Sequence, residues 1–178
     1  SMVWAHGIEV WENARPSHIE KLCNADYVLF NSDYTKRRVE CLHGQLRNGQ
    51  VCWLGTETDD VPDATVPYHN RKPLVLIVAR MEKGRDKGHR SLIRSWPEVI
   101  KKIPDAMLKI VGKGNDLENI RKIADMSSAT NSVDFLGFVS DEDLEDLYKN
   151  ARLFVMPSHG EGFGIVYIEA MRHGLPVI

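Results

Sequence analysis

Two glutamates separated by seven residues, Glu161 and Glu169, are the pair whose type and spacing best suit chemistry in this chain. Glu161 stands in a loop with Gly160, Gly162 and Gly164, and Glu169 falls in the first turns of the helix that follows. Glycine carries no Cβ, so the backbone amides of Phe163, Gly164, Ile165 and Val166 can approach an anion at that helix start. A carboxylate one turn in has two acceptor oxygens and can take both hydroxyls of a ribose diol. The competing role for Glu169 is a dipole partner on a surface face. Its neighbours Ile168, Ala170 and Met171 are apolar, however, which predicts a largely buried helix and a carboxylate that needs a partner.

A second group lies in Ala79-Arg80-Met81-Glu82-Lys83-Gly84-Arg85-Asp86-Lys87-Gly88. Arg80 closes a strand and Lys87 precedes a helix; a guanidinium grips two phosphate oxygens and an ammonium adds a compact charge. Together they suit a diphosphate and the charge that develops as it leaves. The competing reading is a solvated loop ion-paired through Glu82 and Asp86, which fits Lys83 and Arg85. Gly112-Lys113-Gly114 is a tight turn that lets backbone approach a ligand, but Leu117 stands where a dinucleotide fingerprint wants a third glycine. Asp134 falls inside a strand rather than at its end. Trp11, Trp53 and Trp96 read as core or interface residues, His159 as a plain loop residue, and Asp59-Asp60 as a solvated pair. There is no Ser/His/Asp set, metal cluster or P-loop lysine motif in the sequence.

These loops need strands and helices to position them. Leu74 to Ala79 is a continuous apolar run, as in a strand buried on both faces. A helix is predicted from His89 to Lys102, with Leu92, Ile93, Trp96, Val99, Ile100 and Ile103 as its apolar stripe and Pro104 as its end. Strand Met107–Val111, helix Leu117–Met126, strand Val133–Leu136, helix to Asn150, strand Leu153–Met156 and helix Ile165–Arg172 follow. Ser140 with Asp143 resembles a helix cap. Before residue 55 the pattern is weaker: a strand to His6, a helix from Ser17 to Asn24, a strand Tyr27–Phe30, a helix Tyr34–His43 and a strand Val51–Leu54. Residues 56–71 lack periodicity and read as a linker. Alternating strands and helices predict an α/β fold with a doubly wound parallel sheet, in which ligands bind beyond the carboxyl ends of the strands.

Bulk properties exclude several classes. With 43% hydrophobic and 27% charged residues the chain is an ordinary globular one, and a net charge of −2 argues against nucleic acid as a partner. No apolar run reaches the ~20 residues of a membrane span. Cys23, Cys41 and Cys52 are odd in number and lack metal spacing, so they read as reduced thiols of a cytoplasmic protein. Both chain ends fall at strand edges, which predicts a piece of a longer chain.

At this point the residues match a known group. Val78-Ala79-Arg80, Asp86-Lys87-Gly88-His89, Ile110-Val111-Gly112-x-Gly114, Phe135 to Ser140, Leu147-Tyr148, Phe154 to Ser158 and Glu161 to Met171 resemble the retaining glycosyltransferases of the GT-B fold, family 4 or group 1. The resemblance covers residues 74–178, and the Glu-x7-Glu element is among that group's most specific signatures. His6 to Trp11, Asp26 to Thr35 and Leu54-Gly55-Thr56 resemble the end of its acceptor-side domain.

The resemblance implies two Rossmann-like domains: a remnant of the acceptor side at 1–55, the linker 56–71, and a truncated donor-binding domain at 72–178. It implies transfer of a hexose from a nucleoside diphosphate sugar to a glycan or lipid-linked acceptor, with no metal and no cofactor. Arg80 and Lys87 would hold the diphosphate, and Glu161 would face the transferred sugar. Glu169 would bind the ribose, with Gly164, Ile165 and Val166 assisting. Phe138 and Val139 would lie near the base, Gly112 and Gly114 in the donor site, and His6 by the sugar on the acceptor side. Trp96-Pro97 and the Val166-Tyr167-Ile168-Glu169 form resemble mannosyltransferases using GDP-mannose, with UDP-sugars as the alternative. The group's first glycine-rich loop and the part after Ile178 are absent, which predicts weak nucleotide binding and no catalysis by the piece alone. The whole protein is expected in the cytoplasm, with peripheral association at the inner face of the membrane left open. The rival classes are a phosphorylase or epimerase relative, a non-catalytic nucleotide-sugar-binding domain, and a doubly wound regulatory domain.

Overall fold

A computed structural model describes residues 1–56 and 66–178. Residues 57–65, most of the expected linker and including Asp59 and Asp60, lie outside the described residues. The chain divides into two compact units: Ser1–Thr58 with Gly160–Ile165, and Asp59–His159 with Val166–Ile178.

The first unit is a three-stranded parallel sheet in the order β1 (Met2–Ala5), β2 (Tyr27–Phe30), β3 (Gly49–Val51), with helices α1 (Pro16–Cys23) and α2 (Asp33–His43). Pro16 opens α1, where its missing N–H costs nothing. Ser32 caps α2 by accepting the Thr35 amide at 3.1 Å. Ala5, Leu22, Val28, Phe30 and Val39 form the core, with Trp11 at its edge. β3 lies earlier than the expected 51–54 because β2 ends at Phe30, whose carbonyl takes a last bond from the Cys52 amide at 2.8 Å. Trp53, beyond that point, is 70% exposed, so of its two expected roles, core or interface, the core is excluded. All three cysteines are free and exposed.

The second unit is a four-stranded parallel sheet in the order β6 (Val133–Gly137), β5 (Met107–Val111), β4 (Leu74–Val78), β7 (Leu153–Phe154). Around it run α3 (His89–Lys102), α4 (Leu117–Asp125), α5 (Asp141–Asn150) and α6 (Ile165–Arg172), whose first residue is grouped with the first unit. β4 is central, pairs in parallel with β5 and β7, and buries Leu76 and Ile77 completely. That is why its sequence is apolar without alternation. In α3 the stripe is real at Ile93 and Trp96, both buried, whereas Ile103 is the C-cap and 47% exposed. The Trp96 indole N–H donates to Ser132 Oγ at 2.9 Å, so its burial leaves no donor unmet. β7 is shorter than expected, yet the ladder continues: the Val155 amide donates to Leu76 O and the Met156 amide to Ile178 O, both at 2.9 Å. Ser140 caps α5 as expected, accepting from the Asp143 amide at 3.1 Å, and its hydroxyl also donates to Asp143 Oδ2 at 2.7 Å. No described helix is long and apolar enough to cross a membrane.

Candidate functional site

In the sheet order β6-β5-β4-β7, successive strands run outward from β4 in one direction and β7 lies on its other side. The strand order therefore reverses between β4 and β7, and the crevice beyond their carboxyl ends is where such sheets take ligands. The loop after β4 carries Arg80 and Lys87, and the chain after β7 leads to α6 and Glu169.

Glycines let the loops at this edge meet backbone to backbone. A Cβ on Gly112 would run into the carbonyl of Ala79, and one on Gly114 into the carbonyl of Met81. The Met81 amide donates to Lys113 O at 3.1 Å and the Asp116 amide to Met81 O at 3.0 Å. Gly88, at φ +92°, caps α3 in the left-handed region and abuts Pro157 from the β7 side. The turn that the sequence marked only as able to approach a ligand thus first serves to lock the β5 loop against the β4 loop.

The cations on this frame differ in exposure. The Arg80 side chain is 85% exposed, with Glu82 at the outer limit of an ion pair, 4.0 Å. Lys83 and Arg85 are exposed, and Arg85 pairs with Glu82 at 3.9 Å. Lys87 is half-buried. Beneath them lies a network that the sequence reading missed. Asp116, 2% exposed, accepts from Arg90 and from Asn119 Nδ2 (2.8 Å), and these two bonds, led by Asn119, hold its carboxyl below the ordinary range. Asp86 Oδ1 accepts the Gly88 amide at 3.0 Å and lies 3.8 Å from His89 Nδ1. His89 itself is 1% exposed with neither ring nitrogen hydrogen-bonded, and burial depresses its pKa against the opposing pull of Asp86.

Glu169 is held differently. Its Oε2 accepts the Tyr148 hydroxyl at 3.1 Å. Tyr148 is buried on α5, stacked on His173 at 5.4 Å and 14°, with Phe154 at 6.2 Å. Burial, then the Glu169 charge, pushes the phenol far up, so it stays a donor. The expectation of a largely buried α6 is corrected: only Ala170 is fully buried, and Glu169 is half-exposed. Apolar type did not mean full burial here: Val166, Tyr167 and Ile168 are half-buried and Met171 is exposed. Arg71, assigned by sequence to the linker, is 7% exposed and donates to the carbonyls of Val66, Ala151 and His173 at 3.3, 3.3 and 2.9 Å.

The remaining expected residues are placed as follows. Val166 is half-buried in α6, and Phe138 is 73% exposed beyond β6 with the Lys113 ammonium 5.4 Å from its ring centre. Val139 packs against the core of the second unit. Glu161, Gly164 (φ +78°) and Ile165 belong to the first unit, although the sequence-based boundaries put 160–165 in the second domain. Hydrogen bonds give the reason: the Gly162 carbonyl accepts from Ser32 Oγ at 2.6 Å and Thr35 Oγ1 at 3.4 Å. His6 is exposed, stacked on Trp4 at 5.6 Å, and its carbonyl accepts from Asn31 Nδ2 at 2.7 Å. A Cβ on Gly162 would strike that same His6 carbonyl, so the structure brings His6 and the Glu161 loop together. Among the described residues no group of three or more His, Cys, Asp or Glu side chains could hold a metal ion.

A parallel α/β sheet that reverses its strand order between β4 and β7 is the kind of sheet that takes ligands beyond its strand ends. Comparison with known proteins narrows it. The profile described as "Glycosyl transferases group 1" matches residues 63–178, and the chain belongs to that family. It is 32% identical to the GDP-mannose-dependent alpha-(1-6)-phosphatidylinositol monomannoside mannosyltransferase of Mycolicibacterium smegmatis, over 97% of this chain and 50% of that protein. It is 28% identical to the poly(glycerol-phosphate) alpha-glucosyltransferase of Bacillus subtilis, over 89% of this chain and 23% of that one. The chain spans about half the length of the first of these curated relatives. The fold matches HepE of Anabaena in complex with UDP and glucose, with a TM-score of 0.78 at 21% identity, covering 99% of this chain and 51% of that one. It also matches the pneumococcal O-GlcNAc transferase GtfA in complex with UDP and GlcNAc, with a TM-score of 0.75 at 20% identity, covering 99% and 36%. The chain is thus an α/β portion of a GT-B glycosyltransferase fold.

Proposed function

We propose that this chain carries most of the donor site of a retaining glycosyltransferase, which moves a hexose from a nucleoside diphosphate sugar to a glycan or lipid-linked acceptor. The observation that carries the reading is the strand-order reversal between β4 and β7, with Arg80 and Lys87 on one loop and Glu169 on the helix that follows the other. Arg80 and Lys87 hold the diphosphate and stabilise charge on the leaving group, the work a metal ion does in other enzymes. Glu169 accepts from the ribose hydroxyls, with the α6 start, Gly164 to Val166, assisting. Phe138 and Val139 flank the base, while Gly112 and Gly114 shape the floor. Glu161 faces the sugar, and His6 serves the acceptor side. GDP-mannose is the proposed donor, supported by the name of the Mycolicibacterium relative and by its identity to this chain. Transfer belongs to the whole protein, whose place of work is the cytoplasm, at the inner face of the membrane when the acceptor is lipid-linked. The chain alone binds donor without transferring it.

Calorimetric titration with GDP, UDP and ADP, with chelator present, tests this. Saturable binding of GDP is expected, weakened about tenfold or more by Arg80→Ala and by Glu169→Ala. Tighter binding of UDP would move the donor assignment. Silence with all three nucleotides, repeated on the whole protein, would overturn the reading.

A further inference from the structure

We propose that Tyr148 is a positioning residue for nucleotide recognition: its buried hydroxyl fixes the Glu169 carboxylate in the orientation that accepts a ribose diol. The proposal rests on the reading of Glu169 as the ribose acceptor. A glutamate side chain turns about three bonds, and Glu169 stands half-exposed on a helix with only Ala170 fully buried, so packing alone does not hold it. Tyr148 is the reverse case. It is 3% exposed, its ring lies parallel to His173 at 5.4 Å, and its helix is capped by Ser140. Its one polar atom donates to Glu169 Oε2 at 3.1 Å. Among the described residues that is the hydrogen bond the Glu169 side chain makes to the protein. Each carboxylate oxygen can accept two bonds, so Oε2 keeps one position and Oε1 both. The tether therefore removes rotational freedom before the nucleotide arrives and leaves both oxygens available to a pair of vicinal hydroxyls, one to each. The benefit of preorganisation falls on the diol alone, not on base or phosphate.

Tyr148→Phe keeps the ring, its stack on His173 and its packing, and removes only the hydroxyl. Affinity would be measured for whichever of GDP, UDP or ADP binds best and for its 2′,3′-dideoxy counterpart, on the unsubstituted chain, Tyr148→Phe, Glu169→Ala and the double variant. The expected result is roughly fivefold to tenfold weaker binding of the ribonucleotide by Tyr148→Phe, no change for the dideoxy ligand, and no further loss when Tyr148→Phe is added to Glu169→Ala. Equal losses on both ligands, a further loss in the double variant, or no loss at all would overturn the positioning role. If the unsubstituted chain binds both ligands equally and Glu169→Ala changes nothing, the ribose reading of Glu169 falls instead, and the proposal with it. Silence with every nucleotide, in this chain and again in the whole protein, sinks both.

Discussion

The loop after β4 and the helix pair α5–α6, both assigned to the proposed donor site, are built on opposite principles. In the loop, rigidity resides in the backbone: glycines let Ala79, Met81 and the 112–116 turn touch carbonyl to Cα, and Gly88 abuts Pro157. Arg80 is left 85% exposed on that frame. On the other side rigidity resides in side chains, with Tyr148 holding Glu169 and His173 backing Tyr148. The difference fits the chemistry of the proposed donor. A phosphate is met by charge from many directions, so a cation can remain mobile on a firm base. A diol is met along defined hydrogen-bond lines, so the acceptor itself must be aimed.

The comparison can be broken most forcefully at Gly114. Gly114→Ala forces a Cβ into the Met81 carbonyl, and urea unfolding should register a loss of about 2–4 kcal/mol with the β4 loop displaced. A loss below about 0.5 kcal/mol would mean the loops are not locked through the backbone. Next comes acidification, which touches both sides, because burial lowers the pKa of His89 beneath the loop and of His173 behind Tyr148 from the ordinary 6.5. In the window just below that value the unfolded chain binds more protons than the folded one. Stability is therefore full above it and declines as pH falls through 6.5 toward the lowered folded values. Urea unfolding from about pH 7.5 to about pH 5 should show that decline, flattened in part by His89→Gln and in part by His173→Gln. Asp116 acts in a separate, more acidic window, since its lowered pKa makes its contribution fade only below the ordinary 3.8. The smallest effect is expected at Ser140→Ala, which removes the α5 cap for about 1 kcal/mol and loosens the helix that carries Tyr148. An unchanged unfolding midpoint there would show that tertiary packing holds α5 without its cap.

Much of this was legible in the chain because it is local. The apolar run of β4, the 3.6-residue stripe of α3, and the Gly and Pro breaks around α6 each state their element within a few residues, and β5, α3 and α6 fall within their expected bounds. Arg80 and Glu169 stood out by charge beside strand ends and glycines. The parts that stayed hidden depend on distance in the chain. Tyr148 lies 21 residues from Glu169 and Arg90 lies 26 from Asp116, and no periodicity links either pair. Arg71 read as linker because residues 56–71 lack periodicity, whereas its side chain is tied to carbonyls at Ala151 and His173. The polar tie of Gly162 to Ser32 likewise joins loops 130 residues apart.

The central place of β4 also governs how the second unit comes into being. Val75 pairs with Leu108 on one side and Leu153 on the other. During synthesis the first partner emerges early, but the other edge of β4 stays open until Leu153–Met156 has been made. Closing so long a chain segment into parallel register is slow compared with hairpin or helix formation. For that interval the nascent polypeptide presents the edge of its most apolar strand unpaired, the kind of surface that recruits other chains. Slow translation between residues 112 and 152 would therefore lower the soluble yield of this protein, and a chaperone acting there would shield one identifiable strand.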